Sequence, residues 1–106
     1  MTDDSTLGGY VEKHGRPPAF EGSDGRAYSV AVFVDDAPDS SGRFGAALLF
    51  VQWTPTGDAP SGHLETDYLA QAGTPTEAEA WVRRLSLHDV KAHLEQLIAN
   101  QQERPH

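Results

Sequence analysis

The chain has 106 residues and a formal net charge of -8, from 16 acidic side chains against 8 lysines and arginines. This length suits one domain with one core, and the negative charge disfavours nucleic acid and anionic membranes as partners. The absence of cysteine excludes disulfides, thiolate metal sites and a cysteine nucleophile. Neither a signal-peptide pattern nor an apolar run near the roughly 18 residues of a membrane span is present, so we expect a cytoplasmic protein.

The two ends of the sequence differ in composition from the middle. Residues 1–9 are polar and acidic with one large apolar residue, Leu7, and residues 101–106 are polar and contain Pro105. Such segments bury too little apolar surface to fold by themselves. We therefore predict tails at residues 1–9 and 101–106, and a single α+β domain over residues 10–100.

Three segments have the alternating apolar pattern of β-strands, and a fourth strand is predicted from a turn. Ala27–Val34 and Phe44–Trp53 are apolar on both faces, whereas residues 63–70 are apolar on one face only. The Asp-Gly turn at residues 23–26 predicts a short partner strand, Ala19–Glu21, which follows two prolines and should lie at an edge. The strand order predicts an antiparallel β-meander.

Two helical segments follow the strands. Thr74 and Pro75 are typical of a helix start, and Ala78, Trp81, Val82 and Leu85 form an apolar stripe. A second stripe, Leu87, Val90, Leu94, Leu97 and Ile98, lies on nearly the opposite side of a continuous helix. We therefore predict a break at Ser86, with helices over residues 75–85 and 87–100 and Ser86 as the N-cap of the second.

This order of elements predicts an α+β domain in which about four strands are followed by two C-terminal helices packed on one face of the sheet. The doubly apolar strands should then leave a second apolar face uncovered. Residues 10–18 or a second copy of the chain could cover it, and a homodimer is slightly favoured.

One strand places three ionisable side chains on one face. His63, Glu65 and Asp67 are spaced by two residues, and an imidazole with carboxylates suits acid–base chemistry or a divalent metal. A solvated strand face needs the same residue types, and one strand rarely supplies three ligands to one ion. We predict no metal and no cofactor, and leave these three residues as the candidates for an alternative function, a metal-dependent or acid–base enzyme.

Acidic side chains are concentrated in residues 35–79, which contain eight of them and a single arginine. Such a region can attract a basic surface on another protein, as in inhibitors and immunity proteins. Simple solubility charge on loops is the alternative. The leading hypothesis is a small binding module without catalysis that binds a protein with a basic patch. Its predicted partner-binding residues are Asp35, Asp36, Asp39 and Asp58.

Overall fold

The computed structural model describes residues 4–103, and side chains through residue 101. It confirms the α+β class, with an antiparallel meander followed by two helices, and adds a helix at the N-terminal end and a fifth strand. The elements are α1 (Leu7–His14), β1 (Ala19–Glu21), β2 (Ala27–Val34), β3 (Phe44–Trp53), β4 (Pro60–Glu65), β5 (Ala70–Ala72), α2 (Pro75–Arg83) and α3 (Leu87–Glu103). None of the described helices is long and apolar enough to cross a membrane.

The sheet has the strand order β1-β2-β3-β4, and every pairing is antiparallel. All eight residues of β2 pair with β3, which places Val30 beside Phe50 and Val32 beside Leu48. β5 pairs with the first three residues of β3, and β4 with its last five. The central strand β3 is therefore hydrogen-bonded on both of its edges.

The strand predicted over residues 63–70 is divided in the structure. β4 ends at Glu65, and the backbone amide of Leu48 donates instead to the Thr66 hydroxyl over 3.0 Å. The chain then returns to β3 as β5. The irregular segment changes the side-chain alternation, and Tyr68, predicted to be buried with Leu64 and Ala70, is 46% exposed.

All three helices contribute to one hydrophobic core on a single face of the sheet. The fully buried strand residues of this core include Tyr28, Val30, Leu48 and Phe50, and the helices contribute Leu7, Ala78, Val82, Val90, Leu94 and Ile98. Trp81, expected in the α2 stripe, is instead 56% exposed, and the Arg84 guanidinium lies 4.6 Å from its ring centroid. α2 thus has a narrower buried stripe than the sequence indicates.

The N-terminal segment differs from the tail that the sequence predicts. Leu7 is 2% exposed, and Thr6 caps α1 by accepting from the amide of Gly9 over 3.1 Å. The same segment bonds to the linker between α2 and α3, since the Leu7 amide donates to Leu85 and the Leu87 amide donates to Ser5, both over 2.8 Å. At the other end α3 continues through Glu103, and the rest of the predicted tails, residues 1–3 and 104–106, lies outside the described residues.

The predicted break at Ser86 is confirmed. α2 ends at Arg83 and α3 begins at Leu87, and the Ser86 hydroxyl accepts from the Asp89 amide over 3.0 Å. The other predicted cap is also present, since the Thr74 hydroxyl accepts from the Glu77 amide over 3.1 Å. The break allows both apolar stripes to reach the same core.

Replacing Ser86 with alanine removes the hydroxyl that caps α3, so the Asp89 amide loses its hydrogen-bond acceptor. We expect Ser86→Ala to lower the free energy of unfolding by about 1 kcal/mol. Chemical denaturation measures this change, and Ser40→Ala, in an exposed loop, is the control. An equal stability of the two variants would contradict the capping role.

Candidate functional site

One face of the sheet is largely apolar, and none of the described helices packs on it. Side chains alternate along paired strands, so the residues between the core positions of β2 and β3 point to the opposite face. We call this surface the open face; its apolar members are Ala31, Phe33, Ala47, Leu49, Val51 and Trp53. Ala47 is fully buried by its neighbours, Leu49, Val51 and Trp53 are half-buried, and Ala31 and Phe33 are exposed. None of the six belongs to the cluster that the helices cover.

The N-terminal segment does not cover the open face. Of residues 10–18, Val11 packs against the hydrophobic core, and Val11 and Pro17 line a cleft with Val30 and Val32 on the helix side of the sheet. This part of the chain therefore fills the same layer as α2 and α3. Of the two covers expected from the sequence, residues 10–18 lie elsewhere, and the second copy of the chain stays a prediction.

Two aromatic side chains of the open face are held by hydrogen bonds. The indole Nε1 of Trp53 donates to the Ser29 hydroxyl over 2.9 Å, and the Tyr68 hydroxyl donates to the Asp35 carboxylate. The latter bond holds the pKa of Asp35 below its usual range and raises that of Tyr68. Phe33 is 39% exposed between these two positions. The face thus presents ordered aromatic groups with large contact areas.

Tyr68 reaches the open face because Gly45 leaves room for its ring. A Cβ atom at Gly45 would lie 2.5 Å from the Cδ2 atom of Tyr68. The ring thus takes the place that a side chain on β3 would occupy. The glycine inside an otherwise apolar strand was the sequence signal for this contact, since such a residue marks a close approach of another group.

Three of the four predicted partner-binding carboxylates lie in one loop, between β2 and β3. Asp39 accepts hydrogen bonds from the Ser41 hydroxyl and from the amides of Ser41 and Arg43. These bonds lower the pKa of Asp39, and the bond from the Ser41 hydroxyl has the largest effect. Asp35 accepts from the Ala37 amide as well as from Tyr68. Asp36 is exposed and forms no hydrogen bond with a described residue. Asp35 and Asp39 thus order the loop in addition to carrying charge.

The fourth carboxylate, Asp58, lies at the other end of β3. The hydroxyls of Thr56 and Thr54 donate to it over 2.6 and 3.0 Å and lower its pKa. The ten residues of β3 separate it from the Asp35 loop, a distance of about 30 Å at the usual rise along a strand. The acidic residues that are close in sequence therefore do not form one patch.

The candidate acid–base residues are on or beside β4. His63 and Glu65 point to the open face opposite Val51 and Leu49, whereas Asp67 follows the end of the strand. All three border an open depression that Leu97, Asn100 and Gln101 of α3 complete. In the described part of the chain no hydrogen bond orients these three side chains, and no group of three or more ligand side chains could hold a metal ion.

Comparisons with family models, with curated proteins and with solved structures found no match to this chain. The features of the open face are therefore the observations that bear on function. The open face combines contiguous apolar side chains, ordered aromatic groups and carboxylates at one end. Contiguous apolar patches on adjacent strands are commonly found at surfaces that contact other molecules.

The depression beside β4 is expected not to bind metal. Addition of Zn²⁺, Mn²⁺ or Mg²⁺ in modest excess should leave the melting temperature unchanged, because only a ligand that prefers the native state stabilises it. Differential scanning calorimetry measures this. A rise of several degrees that is lost in His63→Ala would instead support the enzyme hypothesis.

The contact between Tyr68 and Gly45 gives a second prediction. Gly45→Ala should lower the free energy of unfolding by about 1–3 kcal/mol, because the new methyl group overlaps the Tyr68 ring. In a Tyr68→Ala background the same change should cost far less. Chemical denaturation of the wild type, the two single variants and the double variant measures the coupling energy between the two positions. An equal loss of stability in both backgrounds would show that the ring does not occupy this position.

Proposed function

We propose that this chain is a binding module without catalysis, and that it recognises another protein through the open face. The single observation that carries the proposal is the contiguous apolar face of β2 and β3, on which none of the described helices packs. Isolated apolar side chains on a protein surface are common, but a contiguous patch on adjacent strands is typical of an interface.

The aromatic groups support a protein as the partner. Tryptophan and tyrosine are enriched among the residues that contribute most to binding between proteins. Trp53 and Tyr68 are already held by Ser29 and Asp35, so binding would cost little additional side-chain entropy. Leu49 and Val51 lie between them on β3 and would form the apolar centre of the contact.

The charges around this surface favour a basic partner. Asp35, Asp39 and Glu65 are close enough to Tyr68 for their negative charges to raise the pKa of its hydroxyl, and hydrogen bonds keep Asp35 and Asp39 ionised. Such a cluster at the end of an apolar face would attract lysine or arginine side chains and speed association. A second copy is less favoured, because each copy carries a net charge of -8 and the two would repel each other at long range.

The proposal is tested by affinity capture from the native host with one variant in the middle of the open face. Val51→Glu should abolish the capture of a partner with a basic surface, because a carboxylate would be buried in the apolar contact. The matched control is Ala92→Glu, an apolar-to-acidic change at an exposed position of α3. Capture of the same proteins by both variants would contradict the proposal.

The role of charge is tested with the captured partner after purification. Asp36→Lys combined with Asp67→Lys should slow association severalfold at low salt and leave the melting temperature nearly unchanged, since neither side chain accepts a hydrogen bond from the described residues. Reversal of Asp39 is a poorer test because it would also remove three bonds that order its loop. Stopped-flow kinetics at several salt concentrations measures the rate, which screening should reduce.

Two results would overturn this function. An association rate that is indifferent to salt and to charge reversal would leave the carboxylates without a part in binding. A dimer at micromolar concentration in sedimentation equilibrium that dissociates in Val51→Glu would show that a second copy covers the open face.

A further inference from the structure

The outer edge of β2 is only partly paired. β1 pairs with Ala27–Ser29, and the last bond of this ladder runs from the Val30 amide to the Pro18 carbonyl over 3.3 Å. Backbone groups in an antiparallel ladder alternate in direction, and the Asp35 amide donates to Gly45 of β3. The amides and carbonyls of Val32 and Val34 therefore point away from β3. We call this stretch the β2 edge.

No described residue occupies the β2 edge. The hydrogen bonds of the described chain include no backbone or side-chain partner for the outward groups of Val32 and Val34. The cause lies in the sequence, since Pro18 has no amide to continue the ladder and Pro17 lacks one as well. The chain preceding them turns away through Gly15, which has φ 67°, and leads back to α1.

A cleft lies beside the β2 edge, on the helix side of the sheet. Its volume is about 260 Å³, and its apolar lining comes from Leu7 and Val11 of α1, from Pro17, and from Val30, Ala31 and Val32 of β2. We call it the α1 cleft. Glu79 and Arg83 of α2 also border it. It has room for one branched aliphatic side chain and lies next to free backbone groups.

From these neighbouring features we propose that the β2 edge and the α1 cleft bind an extended peptide segment of a partner protein. The segment would add a strand to the sheet, with its backbone bonded to Val32 and Val34. Its side chains would alternate between the two faces, so one apolar side chain would enter the α1 cleft. Val30 and Val32 belong to the opposite side of the sheet from the open face, and Ala31 is the one residue that borders both the α1 cleft and the open face.

The charge next to the β2 edge defines the segment further. β2 leads directly into the loop that carries Asp35, Asp36 and Asp39, so this acidic loop follows the end of the β2 edge. Asp35 and Asp39 bond to Tyr68 and Gln71 on the other side of β3, whereas Asp36 is exposed. We therefore infer a segment with lysine or arginine residues next to its apolar residue. Pairing of two β2 edges from separate copies is disfavoured, because it would bring two such acidic loops to the same seam.

The probe is a fluorescent peptide of eight residues, with two lysines followed by alternating leucine and threonine. Fluorescence anisotropy should show saturable binding, and replacing its lysines with glutamates should weaken binding at least tenfold. Methylation of the peptide amides tests the backbone bonds, because a methyl group on an amide that faces the edge should abolish binding and one on the adjacent amide should not. No binding by the lysine peptide, or equal binding of both methylated peptides, would overturn the proposal.

Variants of the protein test the same site from the other side. Val34→Pro removes an outward amide but no bond to β3, whereas the matched control Val34→Thr keeps the amide and the branched shape. Peptide binding should be at least tenfold weaker for Val34→Pro than for Val34→Thr. Equal peptide binding by the two folded variants would contradict the proposal. If Val34→Pro does not fold, binding of the methylated peptides to the wild-type protein provides the test.

Amide exchange and sedimentation complete the test. In the free protein the amides of Val32 and Val34 should exchange quickly although they lie within a strand, and saturating peptide should slow them at least tenfold. Unchanged exchange would overturn the proposal, and so would a dimer of the free chain that Val34→Pro dissociates. Val51→Glu should leave peptide binding unchanged, so this site and the open face can fail separately.

Discussion

The central strand β3 has large apolar side chains on both of its faces, and all three helices cover the same one. Because β2 pairs with one edge of β3 and β4 and β5 with the other, the strand cannot rotate to bury both rows. A shift of register by one residue would exchange the faces without changing the total apolar surface. An uncovered apolar face is therefore a direct consequence of the composition of β3 and of the single helix layer.

The position of the N-terminal segment determines which surfaces remain free. Leu7 is anchored in the core, and backbone bonds from residues 5–7 join the linker between α2 and α3. With α1 held in the helix layer, the segment cannot reach the open face, and the prolines before β1 end the pairing of β2. One short stretch of chain thus leaves both the open face and the β2 edge available to other molecules.

The carboxylates show why charge along a sequence differs from charge on a surface. Folding separates Asp58 from the Asp35 loop by the length of β3 and places Glu79 on α2. Several of these groups also accept hydrogen bonds that order turns, as Asp39 does in its loop. The acidic side chains of this span therefore stabilise local structure in addition to any attraction of a partner. A substitution tests the charge alone only where the carboxylate accepts no hydrogen bond from the described residues, as at Asp36.

The sequence alone determined the fold class, β1 to β3 and the division between α2 and α3. These features depend on local patterns, such as the period of two in Ala27–Val34, the capping residues Thr74 and Ser86, and the phase of the two helical stripes. Pairing between distant segments decided the rest. The Thr66 hydroxyl replaced a strand backbone group and moved Tyr68 to the other face, and Leu7 became a core residue through contacts with elements far along the chain. Which apolar face stays open, and which strand edge stays unpaired, depend on such long-range contacts, because a local pattern records only that a residue is apolar and not what covers it.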